Sequence, residues 1–267
     1  MKIILLLGPY RNLSTLISSH INFHEKIIVF NHGYERLLEN KCDFWNICTD
    51  EYFNNFINFV KTNYLNGSRG HYGGNIIHSH AFDEINILSK YKQNIPDKNN
   101  YEYILIKDSG QISYDLHNNN FNNLLKIETL LSNFKDKIFF IRPIRNIYKS
   151  ALSNTKSGHW RIYKCGNDLE NIIKWNINEL NWINTCKNKY PKFFLYIFEN
   201  NIKNINNLFC KFLDLEVSNN LINEVVLTDN KIINDEQNNH LNKILKQLLN
   251  NNELDEELYQ DLLKNNI

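Results

Sequence analysis

The chain has 267 residues, a length that fits one α/β domain of generous size or two small ones. Its formal net charge is +1 and 42% of its residues are hydrophobic, which predicts a sizeable core and no global basic field for nucleic acid. No apolar run approaches the length that spans a bilayer, and five cysteines without a C-x-x-C pair are typical of reduced thiols in a cytoplasmic protein.

Short apolar runs alternate with helical patterns along the chain, which is typical of an α/β fold with a central parallel sheet flanked by helices. The predicted strands are, in order, Lys2–Leu7, Lys26–Phe30, Asn75–His78, Tyr103–Lys107, Lys137–Ile141 and Phe193–Phe198. The predicted helices are Leu13–His20, Glu51–Asn63, Phe82–Tyr91, Phe121–Asn133, Arg145–Asn154, Asp168–Asn188 and Asn204–Leu213. We expect residues 1–267 to form a single domain, with a wholly helical C-terminal extension from about residue 217 packed on it.

The turn between the first strand and the first helix predicts an anion site. Backbone N–H groups and the positive end of the helix dipole face an anion there, and Arg11, Ser14 and Thr15 add side-chain donors. It is not a Walker A loop, because Leu13 holds the second glycine position and Ser14 the lysine position. The loop therefore resembles a phosphate cradle without the signature of ATP or GTP chemistry. The alternative is an ordinary turn capped by Ser14 or Asn12.

The segment Ile138–Ser150 is the most informative part of the chain. Its apolar run ends in Arg142, Arg145 follows, and Ser150 lies on the predicted helix. Ligands of open α/β sheets bind at the carboxyl ends of the strands. A planar guanidinium and a hydroxyl that converge there suit a dianionic phosphate. The alternative is a strand and a helix with surface arginines.

Three separated segments resemble, in the right order, the sulfotransferase family that uses 3′-phosphoadenosine 5′-phosphosulfate. Residues 8–16 resemble its 5′-phosphosulfate loop, P-[RK]-S-G-T-T-W, and Arg142 with Ser150 match the spacing of its R-x-P-R-x-x-x-x-S motif. Residues 197–202 and 208–215 are similar to its Y-E-D-L-V and F-L-G-L segments. The resemblance implies a P-loop NTPase-like sulfotransferase fold with 3′-phosphoadenosine 5′-phosphosulfate as the donor and no metal.

The chain departs from the family pattern at several positions. Tyr10 is an extra residue between the proline and the basic position, Leu13 replaces the loop glycine, and Leu16 stands where an adenine-stacking tryptophan is common. Lys107 is followed by Asp108, so the histidine of the K-T-H motif is missing. These departures bear on the acceptor class and the catalytic base more than on the nucleotide.

The resemblance also implies roles for the donor site. Arg11 and the amides around Asn12–Thr15, including Leu13, would hold the 5′-phosphosulfate, while Arg142 and Ser150, helped by Arg145, would hold the 3′-phosphate. Lys107, at the end of its strand, would reach the transferring sulfuryl group.

Four residues are candidates for the general base. Alternation along a strand would put His78 and His80 on one face, and a neutral imidazole is a good base near pH 7. Asp108 follows Lys107 at a strand end, and His159 follows the helix of Ser150. Two histidines without a third ligand at a known spacing do not make a metal site.

The resemblance thus implies transfer of a sulfuryl group to a hydroxyl of an acceptor, a glycan or small metabolite. Two alternatives stay open. One is a nucleotide-dependent kinase-like enzyme, against which the missing G-K-[ST] argues. The other is a degenerate member that binds nucleotide or glycan without turnover. The glycine-rich segment Gly67–Gly74 would either cover a ligand or connect elements.

Overall fold

The computed structural model describes residues 1–33, 50–64, 74–83, 87–118, 123–134, 136–222 and 233–265. Most of the glycine-rich segment, with Cys42 and Cys48, lies outside these residues.

A six-stranded sheet forms the centre of the described part of the chain, with the strand order β3-β2-β4-β1-β5-β6. Every neighbouring pair is parallel except β2 and β3, which are antiparallel at one edge. This confirms the predicted α/β fold with a mostly parallel sheet. The strands are β1 (Lys2–Leu6), β2 (Ile27–Asn31), β3 (Gly74–Asn75), β4 (Tyr103–Lys107), β5 (Ile138–Ile144) and β6 (Phe194–Phe198).

The central strands are continuous apolar runs because both faces of the sheet are covered. In β1, Ile3 and Leu5 contact one hydrophobic cluster, and Ile4 and Leu6 contact another on the opposite face. All four side chains are fully buried. Alternation along each strand therefore divides the core into two layers.

Helices cover both faces of the sheet. Helices α2, α3, α4 and part of α7 pack on the Ile3 face, and helices α1 and α8 pack on the Ile4 face. The helices are α1 (Ser14–Ile21), α2 (Asp50–Tyr64), α3 (Ser109–Asn118), α4 (Asn123–Asn133), α5 (Ile147–Ser157), α6 (Trp160–Tyr163), α7 (Leu169–Lys189), α8 (Ile205–Leu213), α9 (Asp235–Asn250) and α10 (Glu256–Lys264).

The C-terminal extension is helical in its described part, as the sequence predicts. Leu245 of α9 and Leu262 of α10 join a third hydrophobic cluster with Ala151 of α5 and Ile173 of α7. The extension thus packs against the helices that follow β5, and α5 lies between this cluster and the carboxyl edge of the sheet.

The prediction of a strand over Asn75–His78 is wrong after its first residue. The side chain of Asn75 accepts a hydrogen bond from the Ile77 N–H at 3.1 Å and caps the 3-10 turn Ile76–His78. An Asn side chain that bonds its own backbone competes with the sheet ladder and ends the strand. His78 and His80 therefore do not share a strand face.

Two other local predictions need correction. The helix predicted over Phe82–Tyr91 is replaced by 3-10 segments at His80–Phe82 and Ile87–Asn94. Strand β5 continues beyond its predicted end through Pro143, which pairs with Ile197 of β6. A proline, which has no N–H to donate, is tolerated there because the pairing of β1 with β5 ends at Ile141, before Pro143.

His20 of α1 is buried in the core, and burial lowers the pKa of its imidazole from 6.5 to about 4. The unfolded chain therefore binds this proton more readily, so stability present above pH 6.5 is lost as pH falls toward 4. We expect this histidine to account for about 2–3 kcal/mol of lost stability between pH 7 and pH 4.5. Urea unfolding of the parent and of His20→Leu at both pH values measures it. A difference between the two proteins that is the same at both pH values would contradict the assignment.

Candidate active site

Four parallel strands end at one edge of the sheet, and the residues that follow them lie there together. Gly8 follows β1 after one residue, while His32 and Asp108 come directly after β2 and β4, and Arg145 after β5. The N–H of His32 donates to the carbonyl of Lys107 at 2.8 Å and ties two strand ends together. Because ligands of open α/β sheets bind at this edge, it is the candidate site.

The turn after β1 has the backbone shape of an anion-binding loop. Gly8, Arg11 and Leu13 all have positive φ, at 109°, 66° and 70°. A left-handed conformation costs a residue with a Cβ roughly 1–2 kcal/mol, so Leu13 is held there by its surroundings. Leu13 thus adopts a conformation for which glycine is favoured.

The interior of the turn is filled by side chains. A Cβ at Gly8 would come within 2.2 Å of Asn12 Nδ2 and 2.5 Å of Arg142 Nη1, so only glycine fits. Asn12 Nδ2 lies 3.4 Å from the carbonyl oxygens of Leu7 and Pro143, at the long end of the hydrogen-bond range. The Asn12 side chain therefore supports the turn from below.

The predicted side-chain donors lie at the mouth of the turn. Ser14 is buried and Thr15 is half-buried, and neither hydroxyl makes a hydrogen bond within the described ranges. Arg11 is exposed, and its Nε donates to Ser153 Oγ of α5 at 2.8 Å. One cation and two hydroxyls thus surround the start of α1.

Lys107 and Asp108 are buried together at the end of β4. Lys107 is 5% exposed, and none of the residues that the structure describes accepts a hydrogen bond from its Nζ. Burial lowers the pKa of Lys107, and the nearby Asp108 opposes this effect. A buried ammonium without a hydrogen-bonded acceptor favours the binding of an anion at this edge.

Tyr10 covers Asp108. Its phenol donates to Asp108 Oδ1 at 2.6 Å, and Asp108 is fully buried. The ring lies with its centroid 4.8 Å from that of His159, and it rests on Gly110, where a Cβ would approach it to 2.3 Å. The Tyr10 N–H donates to the Tyr163 hydroxyl at 2.5 Å. The extra residue of the loop therefore links β4, α3 and α6.

His159, which follows α5, lies beside this cluster, with its ring against that of Tyr10. Its Nδ1 lies 2.8 Å from Ser157 Oγ. Burial, together with the positive charges of Arg11 and Lys107, lowers the pKa of His159. The imidazole is therefore neutral at pH 7.

The two histidines of the His-Ser-His run lie in different positions from those predicted. His80 is exposed and His78 is half-buried, both on 3-10 turns. Burial and the positive charges of Lys107 and His80 lower the pKa of His32 to about 3. His32 is therefore neutral near pH 7.

Arg142 is already paired. It lies on the face of β5 that meets α7, where its Nη2 donates to Glu179 Oε2 at 2.7 Å, and its Nη1 donates to the carbonyl of Pro143. Arg142 is 3% exposed and Glu179 is fully buried. An anion at Arg142 would therefore share the guanidinium with a buried carboxylate.

Ser150 and Arg145 flank the turn from the other side. Ser150 Oγ is buried and makes no hydrogen bond within the described ranges. One turn along α5, Asn154 Nδ2 donates to the carbonyl of Tyr10 at 2.8 Å. Arg145 Nη1 donates to the carbonyl of Arg11 at 3.3 Å, and its Nε lies 3.5 Å from Glu199 Oε1. The predicted phosphate residues thus border one turn, with Arg142 beneath it.

The sequence-based predictions assign no role to three of these residues, although each has a recognisable feature in the sequence. His32 follows an apolar strand just as Asp108 does. Glu179 stands three or four residues from apolar positions of α7, which marks a carboxylate on a buried helix face. Tyr10 is recognisable in the sequence only as an extra residue of the loop, and only the tertiary structure shows its contacts with distant residues.

Neither a metal-ligand cluster nor a membrane-spanning helix occurs among the described residues. No group of three His, Cys, Asp or Glu side chains there is arranged to hold a metal ion. No helix among those residues is both long and apolar enough to cross a membrane.

The chain is similar in structure to two sulfotransferase domains, at low sequence identity. The sulfotransferase domain of the Synechococcus PCC 7002 olefin synthase is 16% identical over 82% of this chain and 75% of that one, with a TM-score of 0.43. Sulfotransferase STF9 from Mycobacterium avium is 13% identical over 82% of this chain and 65% of that one, with a TM-score of 0.42. No protein-family model and no curated protein matches the sequence.

Proposed function

We propose that the chain is a sulfotransferase that moves a sulfuryl group from 3′-phosphoadenosine 5′-phosphosulfate to a hydroxyl of an acceptor, a glycan or small metabolite. The reaction is an in-line displacement at sulfur, in which the 5′-phosphate of the nucleotide leaves. The protein must position donor and acceptor, stabilise charge on the leaving phosphate and accept the acceptor's proton.

The observation that carries this proposal is the buried ammonium of Lys107. It lies at the end of β4, one strand away from the turn that follows β1, and no described residue accepts a hydrogen bond from it. An anion beside it would restore the charged form that burial disfavours. Lys107 is therefore assigned to the transferring sulfuryl group and the bridging oxygen.

The 5′-phosphosulfate is assigned to the turn between β1 and α1. The first-turn amides of α1 and the positive end of its dipole would face the anion. The hydroxyls of Ser14 and Thr15, which have no hydrogen bond within the described ranges, add donors, and Arg11 supplies a charge at the mouth. The amides of Asn12 and Leu13 complete the set.

The 3′-phosphate is assigned to Ser150 with Arg142 and Arg145. The Ser150 hydroxyl is buried and makes no hydrogen bond within the described ranges, which supports this assignment. Arg142 would contribute through its remaining N–H groups, because Glu179 and the Pro143 carbonyl already engage its two terminal nitrogens. The charge available to the phosphate from Arg142 alone is therefore small.

The acceptor's proton has four candidate destinations: His80, Asp108, His78 and His159. Asp108 is covered by Tyr10, so an acceptor would reach it only through or past that phenol. His159 is a neutral imidazole near pH 7, beside Arg11 and Lys107. These observations favour His159 for an external acceptor, with His80 and His78 farther along the same edge.

The test is calorimetric binding of adenosine 3′,5′-bisphosphate beside AMP and ATP, without magnesium. We expect the bisphosphate to bind more tightly than AMP, because only it engages Ser150. A preference for ATP would instead favour the kinase-like alternative. Equal binding of the bisphosphate and AMP would contradict the proposed donor.

Ser150→Ala is the sharpest variant for this test. Within the described part of the chain, the Ser150 hydroxyl makes no hydrogen bond that the substitution would break. We expect affinity for the bisphosphate to fall about 10-fold to 100-fold, because a hydrogen bond to a charged group contributes about 1.5–3 kcal/mol, while AMP binding is unchanged.

Thr155→Ala is the matched control for Ser150→Ala. It lies on the same helix, and its hydroxyl donates to the Ala151 carbonyl at 3.0 Å. We expect it to change neither affinity. Arg142→Ala is a poor substitute for either variant, because it would leave Glu179 buried without its partner.

A further inference from the structure

Tyr10 and Asp108 form a pair with the geometry of a nucleophile and its base. The phenol oxygen lies 2.6 Å from Asp108 Oδ1, within the short range of O–H···O⁻ hydrogen bonds. A hydroxyl within hydrogen-bond reach of a base is the usual arrangement of an activated nucleophile. Asp108 is fully buried, so this contact isolates the phenol proton and its acceptor from water.

The position of Tyr10 is fixed from several sides. Its N–H donates to Tyr163, and its carbonyl accepts a hydrogen bond from Asn154. The ring packs against His159 on one side and Gly110 on another. Because backbone and ring are both held, the phenol is oriented before any ligand arrives.

The same phenol stands within the proposed donor site. Tyr10 is the chain neighbour of Arg11, which is assigned to the phosphosulfate, and its hydroxyl bonds the residue next to Lys107, which is assigned to the transferring sulfuryl group. Tyr10 is half-buried, unlike the core aromatics, and lies at the carboxyl edge of the sheet beside Asp108. A sulfuryl group between Arg11 and Lys107 would have this phenol as an internal neighbour.

We propose that Tyr10 is itself an acceptor and becomes tyrosine O-sulfate when the chain binds 3′-phosphoadenosine 5′-phosphosulfate. This inference rests on the proposed function. The Tyr10 oxygen forms a bond to sulfur as the bond between sulfur and the 5′-phosphate oxygen breaks. The electron pair leaves with adenosine 3′,5′-bisphosphate, and the phenol proton passes to Asp108. Nothing is oxidised or reduced.

The test needs only the full chain and the donor, without an external acceptor. We expect intact-mass analysis to show the addition of one sulfuryl group, and fragmentation that preserves sulfate esters to locate it at Tyr10. Tyr10→Phe abolishes the modification. Asp108→Asn slows it about 100-fold or more, because general-base catalysis is worth about 10²–10⁴-fold.

Two further variants separate chemistry from folding. Gly110→Ala keeps the phenol but places a Cβ against its ring, so we expect the modification to be lost while the helix α3 is preserved. Tyr114→Phe, on the same helix, is the control and remains fully modified.

Every outcome decides the proposal. A chain that binds adenosine 3′,5′-bisphosphate but gains no sulfuryl group overturns this inference and leaves the proposed function standing. Modification of another residue, or modification that persists in Tyr10→Phe, also overturns it. A chain that does not bind the bisphosphate overturns both proposals.

Discussion

Replacing Lys107 with methionine is expected to weaken binding of 3′-phosphoadenosine 5′-phosphosulfate and of its product adenosine 3′,5′-bisphosphate about 10-fold to 100-fold. The physical reason is loss of a charged hydrogen bond, which contributes about 1.5–3 kcal/mol. The variant keeps the length of the buried side chain, so the strand end should pack as before. Isothermal titration with the bisphosphate, at constant ionic strength, measures the loss.

The same substitution is expected to change the pH dependence of stability in the absence of ligand. Burial holds the folded pKa of Lys107 below 10.5, so the unfolded chain binds more protons between the two pKa values. The stability of the parent therefore rises with pH through this window. In Lys107→Met that part of the rise disappears, and urea unfolding between pH 7 and pH 10 detects it.

Lys98→Met is the matched control for Lys107→Met. Lys98 is also buried enough to lower its pKa, to about 7, but its Nζ donates to the carbonyls of Asn22 and His24 at 2.6 and 2.7 Å. Its removal leaves two acceptors without their partner and should destabilise the fold without affecting the ligand. Equal effects of the two variants on ligand binding would show that Lys107 is not part of the anion site.

Glu179→Ala is expected to destabilise the chain by about 3–5 kcal/mol, because it leaves the buried guanidinium of Arg142 without its counterion. The ion pair joins β5 to α7 directly beneath the turn that follows β1, where a Cβ at Gly8 would touch Arg142. Loss of the carboxylate should therefore disturb the conformation of the turn as well as lower the global stability. Urea unfolding gives the free-energy change.

Glu170→Ala provides the comparison on the same helix. Glu170 pairs with Lys174 at 2.7 Å across one helical turn, and both side chains are substantially exposed. An exposed pair of this kind contributes little to stability, because solvent screens the two charges. If Glu179→Ala cost no more than Glu170→Ala, the buried pair would not be a stabilising link between sheet and helix.

The buried pair also bears on how the site recognises a dianion. With Arg142 paired with Glu179, other cations supply positive charge at this edge: Arg11 and Arg145 at the turn itself, and Lys107 at the end of β4. We expect the 3′-phosphate to depend on Ser150 and Arg145 as much as on Arg142. In the proposed function, the strand–helix motif would contribute the Ser150 hydroxyl to ligand binding, while its first arginine, Arg142, is engaged in the buried pair with Glu179.

Much of the fold was predictable because strong apolar runs specify strands that are buried on both faces. Strands β1, β2, β4 and β6 begin and end within one residue of their predicted bounds. The predicted Asn75–His78 strand is wrong because the Asn75 side chain accepts a hydrogen bond from the nearby Ile77 N–H. This local hydrogen bond competes with strand pairing, and the pattern of apolar residues does not reveal it.

Although it missed helix α3 (Ser109–Asn118), the sequence by itself determined the α/β class, five of the six strands, and the placement of Lys107, Asp108 and the turn after β1 at one edge of a sheet. Those properties follow from hydrophobic periodicity and from parallel pairing, which are local in the chain. Only the tertiary structure decided which side chains meet. Glu179 neutralises Arg142 across 37 residues, and Tyr10 reaches Asp108 across 98. Such pairings depend on how α7 and the first turn pack against the sheet, so they cannot be predicted from the spacing of residues along the chain.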